Sequence, residues 1–162
     1  LNHRGKGVDI IEIFRGHGNL TRCAIRRRLA SGGNVDLVTG TDLTNPHEQR
    51  ALFRMLTECN PVLVAMRPPC TSYGNFYRLN RKLHPQTWAA SRNVGDELAS
   101  LAASVAHWQL RRGCHFLIEN PFGSDIFKSR AFRALWATGK VGQVSFPQCR
   151  ELMPVTGLVR IV

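Results

Sequence analysis

Three short stretches of the chain hold side chains able to do chemistry. Arg67-Pro68-Pro69-Cys70 follows an apolar run and sets a thiol in a proline-stiffened backbone, with Arg67 near enough in sequence to favour the thiolate, the form that attacks electrophilic carbon. This is how a nucleophile is placed. The competing reading, a small buried hydrophobe, fits less well with two prolines before the cysteine and a polar stretch after it. Phe116-Leu117-Ile118-Glu119-Asn120-Pro121 ends a second apolar run in a carboxylate. Burial there would raise its pKa and let Glu119 give a proton or a hydrogen bond to a ring nitrogen, unless it is a turn carboxylate bonded to backbone amides. Glu12-Ile13-Phe14-Arg15-Gly16-His17-Gly18-Asn19 supplies two glycines where the backbone could approach a ligand closely, or a plain strand-to-helix turn.

Elements of alternating type must carry these stretches. Residues 8–14 (VDIIEIF) form a strand pattern and 19–30 a helix, while 34–38 fit a second short strand and TGTDLTN is turn-like. A helix then starts with Asn45 as cap, Pro46 in its first position and Glu48 completing a capping box. It shows Gln49, Leu52, Phe53 and Leu56 on one face and stops near Asn60-Pro61. Residues 62–66 are a buried strand, and 67–88 read as a long functional loop. Val94, Leu98, Leu101, Ala102, Val105 and Trp108 mark a helix over 89–112, ended by Gly113. Residues 114–118 are strand-like, 127–137 helical, and 141–146 and 157–162 strand-like. The alternation predicts one α/β domain with a mostly parallel sheet and a binding crevice at the carboxyl ends of its strands. Loops 15–19, 67–72 and 119–123 would share that edge.

FRGHGN, RPPC and IENP, in that order on successive strand ends, resemble motifs I, IV and VI of the DNA cytosine-C5 methyltransferases. PPCTSYGNFYRLNR, with the later ENP and FPQCR, is also similar to methyltransferase-like domains in polyproteins of mobile elements. The resemblance implies a Rossmann-like class I methyltransferase fold, a three-layer sandwich, that uses S-adenosyl-L-methionine. It implies that Cys70 adds to C6 of a flipped cytosine while Glu119 holds N3, and that the segment 71–88 closes over the base. Phe14 would pack on the adenine, and the turn from Gly16 through His17 and Gly18 to Leu20 would cradle the methionine portion, with Arg15 and Pro69 beside it. Asp42 is the first choice for the ribose or adenine amine and Asp36 the second, since the span between motif I and the cysteine is short and an intervening strand is lost. Gln148 and Arg150 resemble motif VIII, whose arginine anchors the base.

Between the nucleophile and the next helix, Thr71, Ser72, Tyr73, Asn75, Arg78, Arg81 and Lys82 interleave aromatic, polar and basic groups suited to DNA, with RNA as the other polymer. The alternative there is a partly buried amphipathic helix. The family's target-recognition region and pocket-closing helix find no room, so recognition would come from a partner or another segment. A second reading is a noncatalytic nucleic-acid-binding or assembly module, and a third an RNA cytosine methyltransferase.

Composition agrees with a polyanionic partner: 22 Lys and Arg against 11 Asp and Glu give a net charge of +11. Arg26-Arg27-Arg28 and Arg111-Arg112 fall in helix C-terminal halves, where the dipole favours cations without any site. The five cysteines are scattered and never paired as Cys-x-x-Cys, which argues against zinc and disulfides and for a reducing, intracellular setting, nuclear in a eukaryote. The histidines have no ligand spacing, so no metal is expected. Neither a membrane-length apolar run nor a signal pattern is present, and the ends, with Leu1 in place of Met, suggest a piece of a longer polypeptide.

Overall fold

In the computed structural model, residues 7–74, 77–147 and 154–160 are described, residues 146–147 and 154–160 by backbone alone. Strand β1 (Ile10–Ile13) is buried along its whole length and is followed by α1 (Asn19–Arg26) and β2 (Ser31–Val35). Next come α2 (Pro46–Cys59), β3 (Leu63–Met66), α3 (Tyr77–Leu83), α4 (Pro85–Arg111) and β4 (His115–Pro121). Helix α5 (Arg130–Trp136) and strands β5 (Val141–Pro147) and β6 (Pro154–Arg160) complete the order.

The sheet runs β2-β1-β3-β4-β6-β5. The first four are mutually parallel, with Ile13 opposite Met66 and Met66 opposite Ile118, and β6 is antiparallel to both neighbours. The chain is therefore α/β with a mostly parallel sheet. It leaves β1 for β2 on one side and returns past β1 to β3 on the other, so the carboxyl ends of β1 and β3 flank a topological switch point, where α/β sheets open a crevice. Ile11, Ile13, Val64, Met66, Phe116 and Ile118 carry the apolar core of the sheet, closed by Leu52 and Leu56 of α2, Leu101 and Val105 of α4, and Phe132 and Leu135 of α5. No helix among the described residues is long and apolar enough to cross a membrane.

Several boundaries differ from the sequence reading. Helix α1 stops at Arg26 and β2 begins at Ser31, not at 34, because the Asp9 carboxylate accepts the Ala30 amide at 2.7 Å and starts the pairing with β1 early. Gly32 is required there, since a Cβ would stand 2.6 Å from Ile11 Cγ1. Asn45 caps α2 by accepting from the His47 amide at 2.9 Å, one position short of the expected capping box. The box lies instead at the 3-10 turn Leu37–Thr39, between Asp36 and Thr39.

The largest correction concerns 67–88. From Tyr77 it is helical, and α4 starts at Pro85, four residues before the expected helix. Proline in a first helical turn is no breaker, because its missing N–H would be unpaired there anyway. At the other end of α4, buried Gln109 donates to the carbonyls of Pro61 (3.3 Å) and His115 (2.8 Å), fixing that helix to the starts of β3 and β4. Its buried residues run from Gly95 to Gln109, so the first ten residues extend past the core, against α3.

Candidate active site

At the carboxyl edge of the sheet, four strand ends meet. The β1 loop bends through three left-handed residues, Phe14 (φ 61°), Gly16 (φ 54°) and Gly18 (φ 64°). Phenylalanine rarely takes that conformation, which costs on the order of 1–3 kcal/mol and is held here by the Phe14 amide donating to Val35 O at 3.0 Å. A Cβ on Gly16 would meet nothing within 4 Å, so the loop leaves open space at that residue.

Two acids hold this loop from inside. Glu12, fully buried on β1, accepts the Leu20 amide at 3.2 Å, the Thr21 amide and Arg15 Nε at 2.9 Å. It thereby caps the first turn of α1, whose Gly18 cap has no side chain to do so. Asp36, at the end of β2, accepts the Gly16 amide at 2.8 Å and the Val38 amide at 2.9 Å. Asn34 Nδ2 donates to Gly16 O at 2.6 Å, while its buried Oδ1 has no partner among the described residues. Asp42, the first choice for the cofactor, is exposed in a separate turn, where the Thr44 hydroxyl and then its amide hold the carboxyl below its usual range. Asp36, rather than Asp42, is the acid beside the glycine loop.

Glu119 lies on β4 one residue beyond the Met66–Ile118 pair, so it stands beside the first residue after β3. It is buried as expected but not solitary: Arg15 Nη1 is 3.0 Å from Oε2 and Arg67 Nε 3.5 Å from Oε1. Arg15 therefore bridges Glu12 and Glu119, tying the β1 loop to β4. A carboxylate this far from water is held by pairing, here with Arg15 and Arg67.

The Cys70 turn is built from both sides. Asn120, fully buried beside Glu119, donates from Nδ2 to Pro68 O at 2.8 Å, and its Oδ1 has no partner among the described residues. The Cys70 carbonyl accepts the amides of Tyr73 (2.9 Å) and Gly74 (2.8 Å). Pro68 is buried and Pro69 exposed, with Cys70 half-buried and its thiol free.

Ser72 and Tyr73 turn inward and are buried. The Tyr73 hydroxyl donates to Asp96, Arg92 stacks on its ring at 4.1 Å, and Gly95 supplies the room. Burial, reinforced by Asp96, pushes the Tyr73 pKa up. Thr71, Arg78, Arg81 and Lys82 are exposed, and His17 is exposed at the tip of the glycine turn. Leu20 is half-buried at the start of α1. Asn75 and Arg150, with Gln148, lie outside the described residues. Among the described residues no three His, Cys, Asp or Glu side chains converge as metal ligands.

Sequence reasoning missed Glu12, although the signal was present: a lone charge inside an apolar strand one step before a glycine turn. It also passed over Asn34, Asn120 as a strut, and the Tyr73–Arg92–Asp96 group. Compared with known proteins, the chain matches no family model, and no curated protein matches it.

Proposed function

We propose that this chain is an S-adenosylmethionine-dependent cytosine-C5 methyltransferase core of the DNA type, built on a class I three-layer sandwich, with Cys70 as nucleophile and Glu119 as the group that holds the base. The observation that carries the reading is the meeting of the glycine turn with Asp36, the Pro68–Cys70 turn and Glu119 on one edge, around the switch point between β1 and β3. The residues fit the cofactor: open space at Gly16 and the orphaned Asn34 Oδ1 lie together, with the Asp36 carboxylate on the Gly16 amide. Phe14, Gly16, Gly18 and Asp36 would hold S-adenosylmethionine, which when bound supplies an electrophilic methyl group.

The remaining chemistry belongs to the chain. The Cys70 thiolate adds to C6 of an unstacked cytosine, forming an S–C6 bond and raising electron density at C5. Glu119 meets N3, with Arg15 and Arg67 fixing the carboxylate. After C5 is methylated its proton leaves to a base, the S–C6 bond breaks, and the C5–C6 double bond returns. Asn120 keeps the turn on β4, so nucleophile and carboxylate move together.

The occupation of Glu119 by two guanidiniums favours the second reading, a noncatalytic nucleic-acid-binding module, because a base must displace or share those bonds. The decisive experiment incubates the 162-residue chain with S-adenosylmethionine and DNA or RNA containing 5-fluorocytosine, which blocks loss of the C5 substituent. The expected result is a covalent adduct on DNA, absent in Cys70→Ser and strongly reduced in Glu119→Gln. No saturable cofactor binding by calorimetry and no Cys70-dependent adduct would sink the enzyme reading, and an adduct on RNA alone would reassign the polymer.

A further inference from the structure

Beside the nucleophile turn, α3 and the first turns of α4 enclose a separate cavity of about 250 Å³, lined by Thr71, Asn80, His84, Thr87, Trp88 and Ser91. Thr71, which follows Cys70 in the chain, forms one of its walls. The Trp88 indole N–H is shielded from solvent and meets no acceptor among the described residues. Such donors are nearly always paired, because an unmade bond in a dry site costs as much as a lost one. Arg81 stacks on the indole, 5.3 Å from its centroid, and so fixes the ring and stands as a cation beside it. Arg78 and Lys82 lie exposed on the same short helix.

A ligand for this cavity must bring a flat apolar face and an acceptor on its edge. It must carry its negative charge outside, since only neutral donors, the hydroxyls of Thr71, Thr87 and Ser91 and the Asn80 amide, line the inside along with the His84 ring. The volume is below that of a drug-sized pocket and suits a single ring system. A nucleobase meets these terms, with its carbonyl or ring nitrogen on the indole N–H and its phosphates on Arg78, Arg81 and Lys82. We infer that the Trp88 cavity binds one unpaired base of a DNA strand, the immediate neighbour of the target cytosine. The inference rests on the reading of Cys70 as the nucleophile toward that cytosine. It makes Trp88 and Ser91 determinants of sequence context.

The test follows the indole N–H resonances of the 15N-labelled chain during titration with a short single-stranded DNA carrying one 5-fluorocytosine. The Trp88 signal, identified by its loss in Trp88→Phe, is expected to move downfield as it gains an acceptor. An abasic site at one neighbour of the 5-fluorocytosine should weaken binding about tenfold, the scale of one hydrogen bond lost to the indole donor. Ser91→Phe, which fills the cavity and leaves the indole in place, should weaken the intact strand equally and abolish the abasic effect. An indole signal unmoved at saturation, or indifference to abasic sites on both sides, overturns the inference. Adduct formation on the same DNA separates the two claims. An adduct with no abasic effect removes the base pocket and leaves the methyltransferase reading standing. A shifted indole with an abasic effect and no adduct keeps the pocket and removes the enzyme.

Discussion

The two halves of the carboxyl edge are built on opposite terms. On the β1–β2 side the polar groups are largely spent on one another: Glu12 holds the first turn of α1, Asp36 holds Gly16, and Arg15 joins Glu12 to Glu119. On the β3–β4 side the backbone is equally fixed, through Asn120 and the Cys70 carbonyl, but buried hydrogen-bonding capacity at Asn120 Oδ1 and Trp88 Nε1 is left over. One half is largely a frame, with Asn34 Oδ1 its one buried polar atom left without a partner among the described residues. The other keeps two such atoms among the described residues, each carrying the cost of an unmade hydrogen bond.

The comparison breaks first at Glu12. Glu12→Gln leaves Arg15 with one fewer buried anion and should lower unfolding stability by about 3 kcal/mol in urea titrations, the scale of breaking a buried pair. A loss below about 1 kcal/mol would mean that Glu12 is not what holds the frame. Next is Gly95→Ala, whose Cβ would stand 2.7 Å from Ser72 Oγ and 3.0 Å from Tyr73 Cε2. Overpacking of about 1–3 kcal/mol is offset by about 1 kcal/mol of helix propensity, so its chief effect should be a displaced Cys70 turn and slower trapping by 5-fluorocytosine. Wild-type trapping rates in that variant would show that the turn does not depend on Tyr73.

A smaller effect separates the two aspartates. Asp36→Asn should cost about 1 kcal/mol of stability and about tenfold in S-adenosylmethionine affinity, while Asp42→Asn leaves calorimetric affinity unchanged. The reverse order would restore the acid that the sequence favoured. The smallest concerns alkaline pH. Folding raises the Tyr73 pKa, so above about pH 10 the unfolded chain gives up a proton that the folded chain keeps. That stability is complete below the unfolded value and falls as pH rises past it. Tyr73→Phe should therefore lose less stability than wild type on going from about pH 8 to about pH 11, as read from urea midpoints. Parallel curves would remove Tyr73 as the group responsible.

Apolar runs ending in chemistry were legible, because β1, β3 and β4 are parallel strands buried on both faces and their patterns need no partner to be read. That placed the glycine turn, Cys70 and Glu119 on one edge. Three things were not legible, each decided by contacts across the chain. The partners of Glu119 could not be read because Arg15 and Arg67 are 104 and 52 positions away. Tyr73 looked like a stacking platform because nothing local announces Gly95 and Asp96 beneath it. Residues 77–88 looked like loop because proline and basic residues mask helices that are stabilised by packing against each other.

The reach of α4 past the core has a consequence for exchange with solvent. At about 40 Å long, the helix is buried only from Gly95 onward, and its first three turns rest mainly on α3. That pair forms a cooperative unit with little apolar area of its own, so its amides should open and exchange with deuterium well before those around Val105 and Gln109. A base bound at Trp88 would close the same unit, so its amides should slow more on binding than those around Val105 and Gln109.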